Sequence, residues 1–211
     1  YYEPLKQMTA VRHQYMSKII KKITNINIYE YLKNKKILDI GCGTGEFLKN
    51  YHDLNNQCIG IDIQQNFKFK NKIGFNLKNT DFKSFIKNNK KKFDIIFIFE
   101  FLEHLNLLDR EFLFKNLFKL LNKDSLIFIS TLNKNMISKF LAIDVAEKYL
   151  KLLPENTHDN NYFLKPSEIQ KLANKNKLHL IDVSGMTYNP LFKNFKLSRI
   201  DLVNYFVSLR N

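Results

Sequence analysis

Three glycines at alternate positions, Gly41, Gly43 and Gly45, stand between two acidic residues, Asp39 and Glu46. Turns of this kind let the backbone approach a ligand closely and open a helix whose N-terminal amides face it. Asp62 follows at the end of a short apolar run, where a carboxylate can accept from both hydroxyls of a ribose. Asp81 and Phe82 come next, the first able to accept from an adenine amino group and the second able to pack on its ring. Loop polarity for Asp81 and core packing for Phe82 are the structural alternatives. Further on, Glu100, Glu103 and His104 have the i, i+3, i+4 spacing that places side chains on one face of a helical turn. Two carboxylates and an imidazole brought together could hold a divalent ion. They could equally serve as a general base and its orienting acid.

A glycine loop by itself does not choose among nucleotide-like cofactors. Here Asp39 and Glu46 flank it, and carboxylates in that place disfavour a pyrophosphate. S-adenosylmethionine suits them better, since it carries an ammonium and a sulfonium and no phosphate. Asp62 alone does not separate it from a dinucleotide. No hydride-transfer constellation is evident, which leaves a dehydrogenase as the weakest reading.

The elements that must position these residues follow from patterning. Residues 1–34 read as helical or mixed, with Tyr15, Ile19, Ile20 and Ile23 as an apolar stripe. Residues 35–40 and 58–62 read as buried strands, 46–54 as a helix, 73–78 as a third strand and 84–88 as a short helix. Residues 93–99 are almost continuously apolar, as a strand covered on both faces should be. A helix over 109–121 and a strand over 126–130 continue the alternation. Helical sequence from Ile137 to Leu153, ended by Pro154, interrupts it. A helix opening at Pro166 and a strand over 178–183 resume it, and 194–207 could add one more strand or hairpin. The expected fold is α/β: a Rossmann-like, mostly parallel seven-stranded sheet with helices on both faces and an inserted helical segment near 135–160. The whole of 1–211 is expected to be one domain, since no Gly/Ser-rich linker divides it.

Composition narrows the partners. The two cysteines, Cys42 and Cys58, are too few for a disulfide scaffold or a cysteine-rich zinc module and read as buried thiols. No apolar run is long enough to span a bilayer. The formal net charge is +14, yet only 4 of the 34 basic residues are arginine. Bidentate base and phosphate recognition favours arginine, so nucleic acid is not the expected partner. An anionic membrane surface remains one.

Asp39 to Glu46 resembles motif I of the class I S-adenosylmethionine-dependent methyltransferases. Further stretches resemble the ubiquinone-biosynthesis O-methyltransferases: Glu3 to Leu5, Val11-Arg12, Glu100 to Leu105, Ser130 to Asn135, Leu153 to Asp159, Phe163 to Glu168, Gly185 through Pro190, and Phe195 to Leu197. The resemblance implies methyl transfer to a phenolic oxygen of a polyprenylated catechol or demethylubiquinol. It implies S-adenosylmethionine as cofactor and a divalent ion, magnesium, held by Glu100, Glu103 and His104, with His104 as ligand or base. Arg12 corresponds to an arginine near the methionine end of the cofactor. The cofactor set expected from motif and resemblance together is Arg12, Asp39, Gly41, Gly43, Gly45, Asp62, Asp81, Phe82 and Phe99.

The resemblance also implies a peripheral protein of an inner membrane, either the cytoplasmic face of a bacterium or the matrix side of a mitochondrion, with other quinone-biosynthesis proteins as partners. Ile137, Phe140, Leu141, Val145, Tyr149, Leu152 and Leu153, interspersed with lysines, form an amphipathic stretch suited to such a surface. The lysine- and asparagine-rich stretch 63–72 departs from the usual pattern. Two other functions compete: a methyltransferase with another small acceptor or RNA, and a non-catalytic methyltransferase-like subunit of a biosynthetic complex.

Overall fold

The computed structural model describes residues 3–54, 57–63, 74–135, 162–189 and 194–211. The elements run α1 (Glu3–Thr24), α2 (Ile28–Leu32), β1 (Lys36–Ile40), α3 (Glu46–Lys49), β2 (Gln57–Asp62), β3 (Phe75–Asn79), α4 (Phe82–Asn88), β4 (Phe93–Phe99), α5 (Leu107–Leu120), β5 (Leu121–Leu132), α6 (Pro166–Lys175), β6 (His179–Asn189), β7 (Asn194–Ser198) and β8 (Asn204–Arg210). The strands form one sheet in the order β3-β2-β1-β4-β5-β8-β6-β7. The pairs from β3 to β5 are parallel, and β8 enters antiparallel between β5 and β6.

The sheet is covered on both faces, which is why its central strands carry so little polar sequence. Successive residues of β4 alternate between two cores. Ile96 and Ile98 face α4, α5 and α6, where Phe85, Leu113, Phe114, Leu117 and Ile169 are buried. Ile95, Phe97 and Phe99 face α1, α2 and α3, against Tyr15, Ile19, Leu32 and Phe47. The stripe read in α1 is this second contact. Tyr15, Ile19 and Ile20 are fully buried, and Tyr15 stacks on Phe206 at 4.8 Å.

Several expected boundaries shift. The helix expected over 46–54 is two pieces, α3 and a 3₁₀ turn over His52–Leu54. The sheet has eight strands among the described residues rather than seven. The extra one is β7, a hairpin partner of β6 that leaves the expected closing strand to β8. Gly185 makes room for the link between them: a Cβ there would overlap the Ile200 carbonyl. The inserted helical segment, its apolar face and Thr157 to Asp159 lie outside the described residues.

Candidate active site

β1 delivers the glycine turn at its carboxyl end. Gly41, Gly43 and Gly45 all have positive φ, at 77°, 54° and 79°, a region that side-chain-bearing residues seldom adopt. Gly41 and Cys42 donate their amides to Ile61 O, and Gly43 N donates to Asp62 Oδ2 at 2.8 Å. Asp62 thus shapes the loop from the end of β2. The three glycines serve different ends. A Cβ on Gly41 would press on the Phe101 ring, and one on Gly45 would press on Leu77. A Cβ on Gly43 would meet nothing within 4 Å, so this is the glycine that faces open space.

Asp39 points to the α1 face of β1 and is buried. Burial pushes its carboxyl up to about 7, with Asp62 adding to the rise and Arg12 opposing it. Arg12 reaches in from α1. It is 7% exposed, and its guanidinium lies over Phe99 at 4.9 Å and Phe47 at 5.6 Å. Burial lowers its pKa, while Glu100, Asp39 and Glu103 oppose that. Its Nε is buried without a hydrogen-bond partner.

β4 ends at Phe99, and the chain turns sharply at Glu100, a non-glycine residue at φ 48°. Its amide donates to Ser130 O. Ser130 Oγ donates to Glu100 Oε1 at 2.6 Å, and Asn204 Nδ2 donates to Oε2 at 3.3 Å. Glu103, 1% exposed, accepts from Thr131 Oγ1 at 2.7 Å on Oε2, while Oε1 is buried without a partner. Burial first, then the neighbouring Glu100, drives its carboxyl well above the usual range. Arg110 of α5 fixes the turn from below. Its Nε donates to Leu102 O at 3.2 Å and its NH2 to Tyr162 O.

The structure therefore gathers the buried Arg12, Asp39 and Glu103 and the half-buried Glu100 around Phe99 at the carboxyl ends of the strands, where ligands of open α/β sheets bind. It does not bring His104 with them. The residues after Glu100 form a 3₁₀ turn, Leu102–His104, instead of the expected helical turn, so Glu103 points inward and His104 is exposed. Among the described residues no three His, Cys, Asp or Glu side chains are placed to hold a metal. Glu100, Glu103 and His104 do not fit the expected three-ligand site. Asp81 is exposed and caps α4, accepting from Ser84 N at 2.9 Å. Phe82 is buried against Phe101 and Phe112. These are the contacts that the structural alternatives describe.

Residue reading missed Ser130, Thr131, Asn204 and Arg110 as parts of the site. Two hydroxyls at the end of an otherwise apolar strand were a usable signal. Asn204 offered none, because its partner lies 104 positions away.

A methyltransferase-domain family profile matches residues 11–183. The ubiquinone biosynthesis O-methyltransferase of Pelagibacter ubique is 38% identical, over 97% of this chain and 87% of that protein. The protein of that name from Colwellia psychrerythraea is 31% identical, over 99% and 87%. Among solved structures, an S-adenosylmethionine-dependent methyltransferase from Archaeoglobus fulgidus superposes over the full length of both chains with a TM-score of 0.63 at 17% identity, a likeness of fold. With glycine loop, acidic strand ends and sheet order all in place, the chain belongs to the S-adenosylmethionine-dependent methyltransferases and, within them, to the ubiquinone biosynthesis O-methyltransferase family.

Proposed function

We propose that this protein transfers a methyl group from S-adenosylmethionine to a phenolic oxygen of a polyprenylated catechol or demethylubiquinol in ubiquinone synthesis. The names of its relatives support the substrate class. The observation that carries the reading is the pinned Glu100 carboxylate at the end of β4, within the electrostatic reach of Arg12, whose charge also acts on Asp39 beside the glycine loop.

The Gly41–Gly45 loop would hold S-adenosylmethionine, with Gly43 leaving its open side free for it. Asp62 takes the ribose hydroxyls, Asp39 the ammonium and Arg12 the methionine carboxylate. Phe99 packs beneath that end. Glu100 orients the attacking hydroxyl and accepts its proton. The O–CH3 bond forms as the S–CH3 bond breaks, and S-adenosylhomocysteine leaves neutral at sulfur. Charge is neutralised between oxygen and sulfonium, so a site kept from water favours the step, and positioning supplies much of the rate. The three-residue magnesium site does not fit the geometry, since Glu103 is buried while His104 is exposed. The acceptor reaches the site from an anionic membrane surface, a placement that the net charge of +14 supports.

The test is transfer of labelled methyl from S-adenosylmethionine to a short-tailed polyprenyl catechol, with and without EDTA and added magnesium. Turnover that survives EDTA supports the reading as drawn. Turnover only with magnesium keeps the substrate and overturns the proton route through Glu100 alone. Cofactor binding with no turnover on any catechol overturns the substrate class.

A further inference from the structure

Glu100 is held in a conformation that it would not adopt by itself. A non-glycine residue in the left-handed region costs about 1 kcal/mol or more and persists only where neighbours over-determine it. Three hydrogen bonds hold it, with the buried Glu103 carboxyl beside it. Ser130 O takes the Glu100 amide, Ser130 Oγ donates to one carboxylate oxygen at 2.6 Å, and Asn204 Nδ2 donates to the other at 3.3 Å. A competitor stands close by. Arg12 is the buried cation whose field acts on Glu100, and its Nε has no hydrogen-bond partner. A released Glu100 side chain would be drawn to that guanidinium and away from an incoming hydroxyl.

We infer that Asn204 and Ser130 are positioning residues for methyl transfer, holding the Glu100 carboxylate toward the acceptor and off Arg12. Asn204 is the first residue of β8, in register with Leu132 of β5 and Met186 of β6, so its amide is delivered by the sheet itself. This gives the antiparallel strand a part in the reaction although it stands three places from β1 in the sheet. The inference rests on the reading proposed above and adds to it the groups that set the geometry of the base.

The experiment compares Asn204→Ala with Asn204→Asp under saturating S-adenosylmethionine and a short-tailed polyprenyl catechol, beside calorimetric binding of S-adenosylhomocysteine and the thermal midpoint. Asp has the shape of Asn but offers a second carboxylate where a donor stood. If Asn204 only fills space, Asp is the milder change. If it positions Glu100, Asp is the harsher one. The expected result is a fall in kcat of about tenfold for Asn204→Ala and a larger fall for Asn204→Asp, with cofactor affinity held within about twofold. Ser130→Ala, which removes a hydroxyl without adding bulk, should lower kcat in the same way and stands in should Asn204→Asp fail to fold. Asn204→Asp as active as Asn204→Ala or more so, or a kcat unmoved in both Asn204→Ala and Ser130→Ala, overturns the inference. An inactive wild type instead overturns the reading on which it rests.

Discussion

At the scale of single residues the site depends on charges that the fold holds out of water. Asp39 illustrates the consequence. In the unfolded chain its carboxyl titrates near the ordinary value of 3.8, and in the folded protein burial pushes it up to about 7. The folded state therefore binds more protons between those limits, so this group's contribution to stability is full below the lower one and is lost as pH rises toward 7. Asp39→Asn should flatten that part of the pH–stability curve, read by urea unfolding at a series of pH values. Cofactor binding should run the other way. An ammonium needs the ionised carboxylate, so affinity for S-adenosylmethionine should rise between pH 6 and 8 in the wild type and stay flat in Asp39→Asn, with about tenfold weaker binding at pH 8. The glycines make a second contrast. Gly41→Ala forces a Cβ onto the Phe101 ring at 2.5 Å and should cost about 2 kcal/mol of stability or more. Gly43→Ala has room for its methyl and should fold at a cost of about 1 kcal/mol for its left-handed backbone, yet bind the cofactor about tenfold more weakly if the loop's open side holds it as proposed. Equal losses of stability in the two variants would contradict this division.

At the scale of elements, much was legible where a short apolar run stops at a glycine or an acidic residue, as β1 does before Gly41, β2 at Asp62 and β4 before Glu100. The parallel half of the sheet and the glycine turn could be read directly, and so could α5, where Asn106 caps the helix by accepting from Asp109 N. What could not be read was local geometry after the strand ends. The spacing of Glu100, Glu103 and His104 is equally compatible with an α-turn and a 3₁₀ turn, and only the tertiary pins on Glu100 decide between them. The antiparallel edge was also obscure, since its pairings join residues far apart in the chain. Gly185 bears on that edge most directly. It lies in β6 under the chain that links β7 to β8, and the Ile200 carbonyl occupies the place of its missing Cβ. Asn133 Nδ2 holds the same link through Asp201 O, and Asn135 Nδ2 through Leu202 O. Gly185→Ala must displace backbone rather than a flexible side chain. It should destabilise the protein by about 3 kcal/mol, measured by chemical unfolding, and reduce methyl transfer through the displaced Asn204.

At the scale of the whole molecule, the core under α1 draws on residues from Met8 to Phe206, and the opposite core on residues from Leu38 to Leu209. The core under α1 joins Tyr15 to Phe206, and Lys18 pairs with Asp182 at 3.2 Å, so the first helix and the last strands support each other. These contacts tie the two ends of the described chain together. The charge acts at the same scale. A formal net charge of +14, carried mostly by lysine, gives a diffuse positive field rather than a set of fixed contacts. Among the described residues no helix is long and apolar enough to cross a membrane. Each lysine close to an anionic leaflet is worth about 1 kcal/mol, and that attraction decays over a Debye length of about 8 Å at physiological salt. Binding to vesicles rich in phosphatidylglycerol should therefore be strong at low salt and largely lost near about 0.5 M, where screening shortens that reach. Co-sedimentation with phosphatidylglycerol and phosphatidylcholine vesicles across that range reads the difference. Salt-sensitive binding to the anionic vesicles alone fits a protein that meets its acceptor at the membrane through charge. Equal, salt-resistant binding to both lipids would place the affinity in apolar contact instead, and no binding to either would leave the lysines without a part in bringing enzyme and acceptor together.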